Sequence, residues 1–291
     1  MDQRLRGWNK GWGSGCLGML IFSGSLPATR LAVADFSPLF LTAIRALIAA
    51  ALALVCLTVL RQKRPAARDL VGLAVVALGV VVGFPLLSAL ALQSITAARS
   101  AVFIGLLPLA TALFAVLLEG ERPRPRFWLF SLAGAASVSG FALTHSASGA
   151  LRGDLLMCAA ILICGLGYAK GASLSRRLGG WQVISWALVL AAPVTGLLAT
   201  ATWPAAGLRG VSPAAWAGLG YVAIFSMLVG FVFWYRGLAL GGIARVGQLQ
   251  LLQPFFGLLL AALFLREPVV WPMLACTGLT VLCVAGARRF A

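Results

Sequence analysis

Apolar residues run through this chain in long blocks separated by short polar or basic breaks, without the period-two alternation of a half-buried strand. A bilayer core of roughly 30 Å takes about 20 apolar residues per helix. Ten windows of that kind can be drawn, at 14–34, 38–60, 70–92, 96–118, 127–145, 154–175, 181–202, 213–235, 242–264 and 270–287. They occupy most of the 291 residues and leave no stretch for a soluble domain. Backbone polar groups in hydrocarbon must be satisfied within the segment, so runs of this length predict helices. Ser37-Pro38 and Ser212-Pro213 place a capping hydroxyl ahead of a proline at the first helical position and predict the starts of spans two and eight. The first run follows basic residues and ends near Ala32-Val33-Ala34, as in a cleavable leader, but Pro27 and Arg30 interrupt it. It is expected to stay as the first helix.

The pattern occurs twice. Residues 91–121 slide forward by 146 positions onto 237–267 without a gap, with nine of 31 positions identical. Leu and Ala matches mean little here, but Arg99 falls on Arg245, Pro108 on Pro254 and Glu121 on Glu267. The register continues with Val138 on Val284 and Gly140 on Gly286. A repeat of this kind fixes architecture before local detail does. Five spans per copy is an odd number, so the second copy is expected to enter the membrane inverted, with a solute site between the copies near the midplane. The expected fold is an all-α membrane protein of ten transmembrane helices. They form two inverted five-helix repeats, 10–145 and 152–289, around a central cavity. Gly79/Gly83, Gly167/Gly171 and Gly237/Gly241 are expected to let helices approach closely.

Composition agrees: 61% of residues are apolar, 10% charged, and the mean hydropathy is +0.99. The net charge of +16 is a topology signal and not a nucleic-acid footprint. The even-numbered connections and the two ends hold sixteen Lys or Arg, the odd-numbered connections five. By the positive-inside rule both termini are expected in the cytoplasm. The six cysteines fall inside apolar runs without metal-ligand or disulfide spacing and read as packing residues; no metal and no cofactor are expected.

A small-residue-rich helix, a mid-helix proline, an acidic end (LLEGER at 117–122, LFLREP at 263–268) and a following Gly-rich helix together resemble the EamA repeat of the drug/metabolite transporter superfamily. The likeness covers about 10–145 and 152–289. It implies ten helices with cytoplasmic termini, a cavity lined by helices 1, 3, 4, 6, 8 and 9, and export of amino acids or other metabolites. Within the family the chain looks most like the YddG-type exporters of aromatic and other neutral amino acids.

The expected solute contacts come from polar and aromatic residues in the spans. Pro27, Pro85, Pro108, Pro193 and Pro254 each free a carbonyl four residues earlier, and the pair Pro108/Pro254 is expected to bend cavity helices. Pro27 and Pro85 join that pair as kink residues. Gln248, Gln250 and Gln253 have Val102, Ile104 and Leu107 at the matching places of the first copy. Their polarity is therefore not demanded by the fold, and Gln250 and Gln253 are expected to orient substrate. Phe22, Phe84, Phe103, Tyr168, Phe225, Phe231 and Trp234 are expected near the cavity, and Ser23 and Ser88 complete the candidates. Lys170 and Arg30 are the candidate carboxylate partners. Arg45 lies only seven residues, about 10 Å, into its helix and is expected to be structural, snorkelling outward or bonding loop carbonyls.

All seven acids sit at helix ends or in loops, and the single His145 closes span five. A carboxylate deep in the membrane is the usual proton relay, so transport without proton coupling is expected. The expected partners are a small neutral amino acid and the lipid bilayer, with no nucleic acid; the protein itself is expected as a monomer or weak homodimer. A cationic-drug exporter expects a buried carboxylate, and an exchanger of phosphorylated metabolites expects several pocket cations. A membrane-embedded enzyme would need converging acids, histidines or a metal cluster.

Overall fold

The computed structural model describes residues 2–119, 124–144, 150–205, 207–241 and 246–289. Arg245, Glu121 and His145 lie outside them, as does the side chain of Gln248. Every element among the described residues is a helix, joined by short connections. In order, the helices are α1 (Asp2–Ser23, continued after Gly24 by Ser25–Ala32), α2 (Pro38–Val59) and α3 (Ala67–Ala91). Next come α4 (Ala97–Ile104, then Leu107–Glu119), α5 (Pro125–Thr144) and α6 (Ala150–Leu178). The last four are α7 (Gly180–Ala201), α8 (Pro213–Gly241), α9 (Gly247–Leu265) and α10 (Trp271–Arg288). Among the described residues, six helices, α2, α3, α4, α6, α7 and α8, are long and apolar enough to cross a membrane.

Local sequence sets the helix starts. Ser37 Oγ accepts from Phe40 N at 3.3 Å, Thr96 Oγ1 from Arg99 N at 3.1 Å and Ser212 Oγ from Ala215 N at 3.2 Å, each satisfying a first-turn N–H. Along α2, Thr42, Arg45, Ala46, Ala49 and Ala53 are buried, while Leu52, Leu54, Val55 and Val59 are exposed. A face of small residues thus packs inward and a leucine-valine face meets lipid.

Packing follows the repeat. Helix α1 lies along α8 and α3 lies along α6, which is the same pairing with the copies exchanged; α2 packs on α7, α4 on α9 and α5 on α10, each with its own counterpart. The first two pairings depend on glycine. A Cβ on Gly79 would come 2.7 Å from Gly167 Cα, and one on Gly237 would come 2.6 Å from Gly15 N, so the helices approach at backbone distance.

Five helices depart from regular α geometry. Helix α3 widens to π turns over Ala77–Gly83 and α8 over Tyr221–Val229. The 146-residue shift carries 77–83 onto 223–229, inside the second segment. At their ends Phe84 N bonds back to Gly79 O, and Gly230 N to Phe225 O, five residues earlier in each case. Helix α4 breaks at Gly105–Leu106 ahead of Pro108, and α9 is a tighter 3-10 helix over Gly247–Leu252 ahead of Pro254. Helix α1 breaks at Gly24, ahead of Pro27. Pro193, by contrast, sits in an uninterrupted α7.

Candidate functional site

The irregular segments converge on a cavity in the middle of the bundle. Phe22, Ser25 and Leu26 of α1 line it with Arg45 of α2, Val80, Phe84 and Pro85 of α3, and Ile104 and Leu107 of α4. The other copy contributes Cys164 and Tyr168 of α6, Ser226, Met227 and Phe231 of α8, and Gln253 of α9. Both repeats therefore form the wall, and every helix with an irregular turn supplies part of it. The cavity is narrow. It offers about 30 Å³ to the centres of water molecules, room for roughly two of them.

Arg45 is the one cation among the lining residues. It is only 4% exposed, and its Nε has no hydrogen-bond partner. The expectation of an outward-reaching structural arginine is therefore corrected, because the side chain ends in the cavity wall. Its spacing carried the signal: Arg45 shares a helix face with Thr42 and Ala49, both fully buried. A guanidinium is always charged at neutral pH. The carboxylates whose side chains the structure describes are committed elsewhere. Asp154 pairs with Arg99, Asp69 with Arg177, Glu267 accepts from the N–H groups of Ala97 and Ala98, and Asp35 accepts from Ser212.

The polar remainder of the wall is neutral. Ser25 and Ser226 share a 2.7 Å hydrogen bond across the two copies. Gln253 is 8% exposed with Oε1 unpartnered. Aromatic rings close one side: Phe231 contacts Phe22 at 4.9 Å, Tyr235 at 5.4 Å and Tyr168 at 6.0 Å, and Trp234 backs Phe22 at 6.3 Å. Phe231–Tyr235 is tilted, while the other three pairs are edge-on, as the ring quadrupoles favour.

Of the sequence candidates, Phe22, Phe84, Pro85, Tyr168, Phe231 and Gln253 line the cavity. Trp234 forms the second layer behind Phe22. Phe103 is buried in the core away from the cavity, and Gln250 is buried off it with Nε2 unpartnered. Ser23 donates its hydroxyl to Met19 O at 2.9 Å and Ser88 to Phe84 O at 2.6 Å, and neither lines the cavity. Pro27, Pro108 and Pro254 are buried behind the wall, where they shape it through the breaks that precede them. Phe225 is 47% exposed and stacks on Tyr221. Lys170 lies along α3, where a Cβ on Gly72 would come 3.2 Å from its Cε; Arg30 donates to Leu92 O. Neither cation reaches the cavity. Ser25, Leu26, Cys164, Ser226 and Met227 were not legible as lining residues, because they are typical of any buried helix face.

Each end of the bundle is tied by polar contacts between copies. On the face of the odd-numbered connections, Arg99 grips Asp154 with two bonds, Nε–Oδ1 2.8 Å and Nη2–Oδ2 2.7 Å, and lies over the Phe141 ring at 5.0 Å. Glu267 bonds Ala97 N at 3.1 Å and Ala98 N at 2.7 Å, placing a carboxylate at the positive end of α4. Arg99 and Glu267, two of the residues that mark the repeat, thus meet at one helix start. On the basic face Arg177 pairs with Asp69 at 2.6 Å, and Gln182 Nε2 donates to Gln62 Oε1 at 3.2 Å.

The EamA-like transporter family model matches residues 9–143 and 151–288. A Bacillus subtilis (strain 168) protein described as "Uncharacterized transporter YdeK" is 61% identical over 285 residues, 97% of this chain and 98% of its own length. A solved crystal structure at 19% identity superposes with a TM-score of 0.68, covering 97% of this chain and 99% of its own, which speaks for the fold alone.

Proposed function

The chain belongs to the EamA-like transporter family, and on that premise we propose that it exports neutral amino acids with aromatic or large apolar side chains by alternating access. The observation that carries this reading is the cavity, where a single unpaired guanidinium faces aromatic rings and neutral polar groups. A zwitterionic solute would place its carboxylate on Arg45 and its ammonium on Gln253 Oε1, with its side chain against Phe22, Phe84 and Phe231. A free amino acid is larger than two waters, so the loaded cavity must be wider than the one seen here. The π turns of α3 and α8 are the natural place for that change, since such turns occur often at functional sites. The helices outside the six clear spans complete ten crossings in this reading, with the copies inverted. The basic face and both termini lie in the cytoplasm of a bacterial inner membrane.

The cavity argues against the rival substrates. A cationic drug would meet Arg45 with no lining carboxylate to hold it, and a phosphorylated metabolite would bring two charges to one cation. The same lack of a lining carboxylate supports transport without proton coupling. The test is efflux from proteoliposomes loaded with labelled phenylalanine, leucine, a sugar phosphate and a lipophilic cation. The amino acids are expected to leave, at a rate indifferent to an imposed pH gradient, and Arg45→Gln is expected to stop them. Exit of the cation or the sugar phosphate with the amino acids retained would overturn the assignment.

A further inference from the structure

We propose that Arg45 is a small-anion site that holds a monovalent inorganic ion, chloride, whenever the cavity contains no solute. Arg45 carries a full positive charge, is 96% shielded from solvent, and leaves Nε without a hydrogen-bond partner. A buried, uncompensated ion is among the most costly arrangements a protein can adopt, and more so at the depth of a bilayer. Among the described residues no carboxylate supplies the missing charge. Asp35, Asp69, Asp154 and Glu267 are each engaged at an end of the bundle, and the cavity lining contains no acid.

Water alone compensates poorly. The free space admits roughly two water molecules, too few for a hydration shell around a guanidinium. That space suits one small ion and excludes a free amino acid. Donors are available around it besides the guanidinium: the Ser25–Ser226 pair has one hydroxyl proton beyond the one it shares, and Gln253 offers its amide. The site therefore combines a fixed positive charge with neutral donors, as an anion requires. When a carboxylate-bearing solute enters, it must take the same guanidinium, so ion and solute compete for Arg45. The binding claim does not depend on the proposed function; only the competition rests on that reading.

The test begins without solute. Purified full-length protein in lipid nanodiscs is titrated with chloride against gluconate at constant ionic strength, reading bound radioactive chloride and the thermal unfolding midpoint. Saturable binding of about one chloride per chain and a rising midpoint are expected. Both should be lost in Arg45→Gln and retained in Arg45→Lys and in the surface control Lys63→Gln. Absent binding, or binding unchanged in Arg45→Gln, overturns the site. If Arg45→Gln does not fold, the wild-type competition decides: at ten times its Kd, chloride raises the solute KM about 11-fold with the maximal rate unchanged. Where the amino acid is carried and Arg45→Lys or Arg45→Gln cannot be read, a KM indifferent to chloride overturns the placement of the ion on Arg45. Chloride binding in a protein that carries no amino acid would leave the ion site standing and remove the substrate assignment. Formate, a carboxylate of similar size, is expected to displace chloride; displacement by gluconate would instead indicate an unselective surface effect and count against the site.

Discussion

Replacing Asp154 by Asn should unlock the face of the odd-numbered connections. The carboxylate and Arg99 are 4% and 8% exposed in their side chains and make two charge-assisted bonds, so the variant leaves a buried guanidinium facing a neutral amide. Removing one partner of such a pair costs about 3–5 kcal/mol. Arg99 keeps other contacts, including the Phe141 ring at 5.0 Å, which places this case at the lower end, about 3 kcal/mol. That corresponds to roughly a hundredfold shift in the equilibrium between closed and open forms of this end. The native Cys164, buried in the cavity wall, reports opening once the other five cysteines are replaced by alanine. With an impermeant maleimide on that face, Asp154→Asn is expected to label about 100-fold faster when labelling waits on opening. Asp69→Asn, on the opposite face, should not have this effect. The double variant Arg99→Gln/Asp154→Asn removes the lone charge and should recover much of the slow labelling. A rate within roughly threefold of the parent would refute the reasoning, since an opening shift of that size costs under 1 kcal/mol.

Two further outcomes follow from the helix ends. Glu267→Gln exchanges a carboxylate for an amide at the start of α4 and should cost about 1–2 kcal/mol, read as a lower unfolding midpoint. Asp35 accepts from both the hydroxyl and the backbone N–H of Ser212, which hold its carboxyl below the usual carboxylate range. A depressed folded value means that the contact is present above the unfolded value of roughly 3.9 and is lost as pH falls through the folded one. Carbon NMR of labelled aspartates should show this, with Ser212→Ala moving the Asp35 midpoint upward; an unmoved midpoint would sink the assignment.

The architecture was legible because the repeat left non-apolar marks. Pro108 and Pro254 announced paired irregularities in α4 and α9, and the Ser-Pro pairs announced the starts of α2 and α8. The π turns in α3 and α8 left no such mark, since π and α turns draw on the same apolar residues and differ only in how neighbouring helices pack. The site was legible in part. Gln253 stood out as a polar exception to the repeat and does line the cavity, whereas Gln250, buried three residues earlier, does not. Arg45 does not reach outward as its place in the sequence suggests, because distance from a helix end measures depth but not facing. The small-residue stripe Thr42, Ala49 and Ala53 was the better guide. Lys170 and Arg30 looked equally eligible, yet one lies along α3 and the other caps it.

The claim that this cavity is the solute path is tested most directly by alkylating Cys164 in the otherwise cysteine-free protein and measuring efflux from proteoliposomes. A saturating neutral amino acid is expected to slow the labelling, and labelled protein is expected to transport nothing. Full transport after complete modification of Cys164 would contradict it.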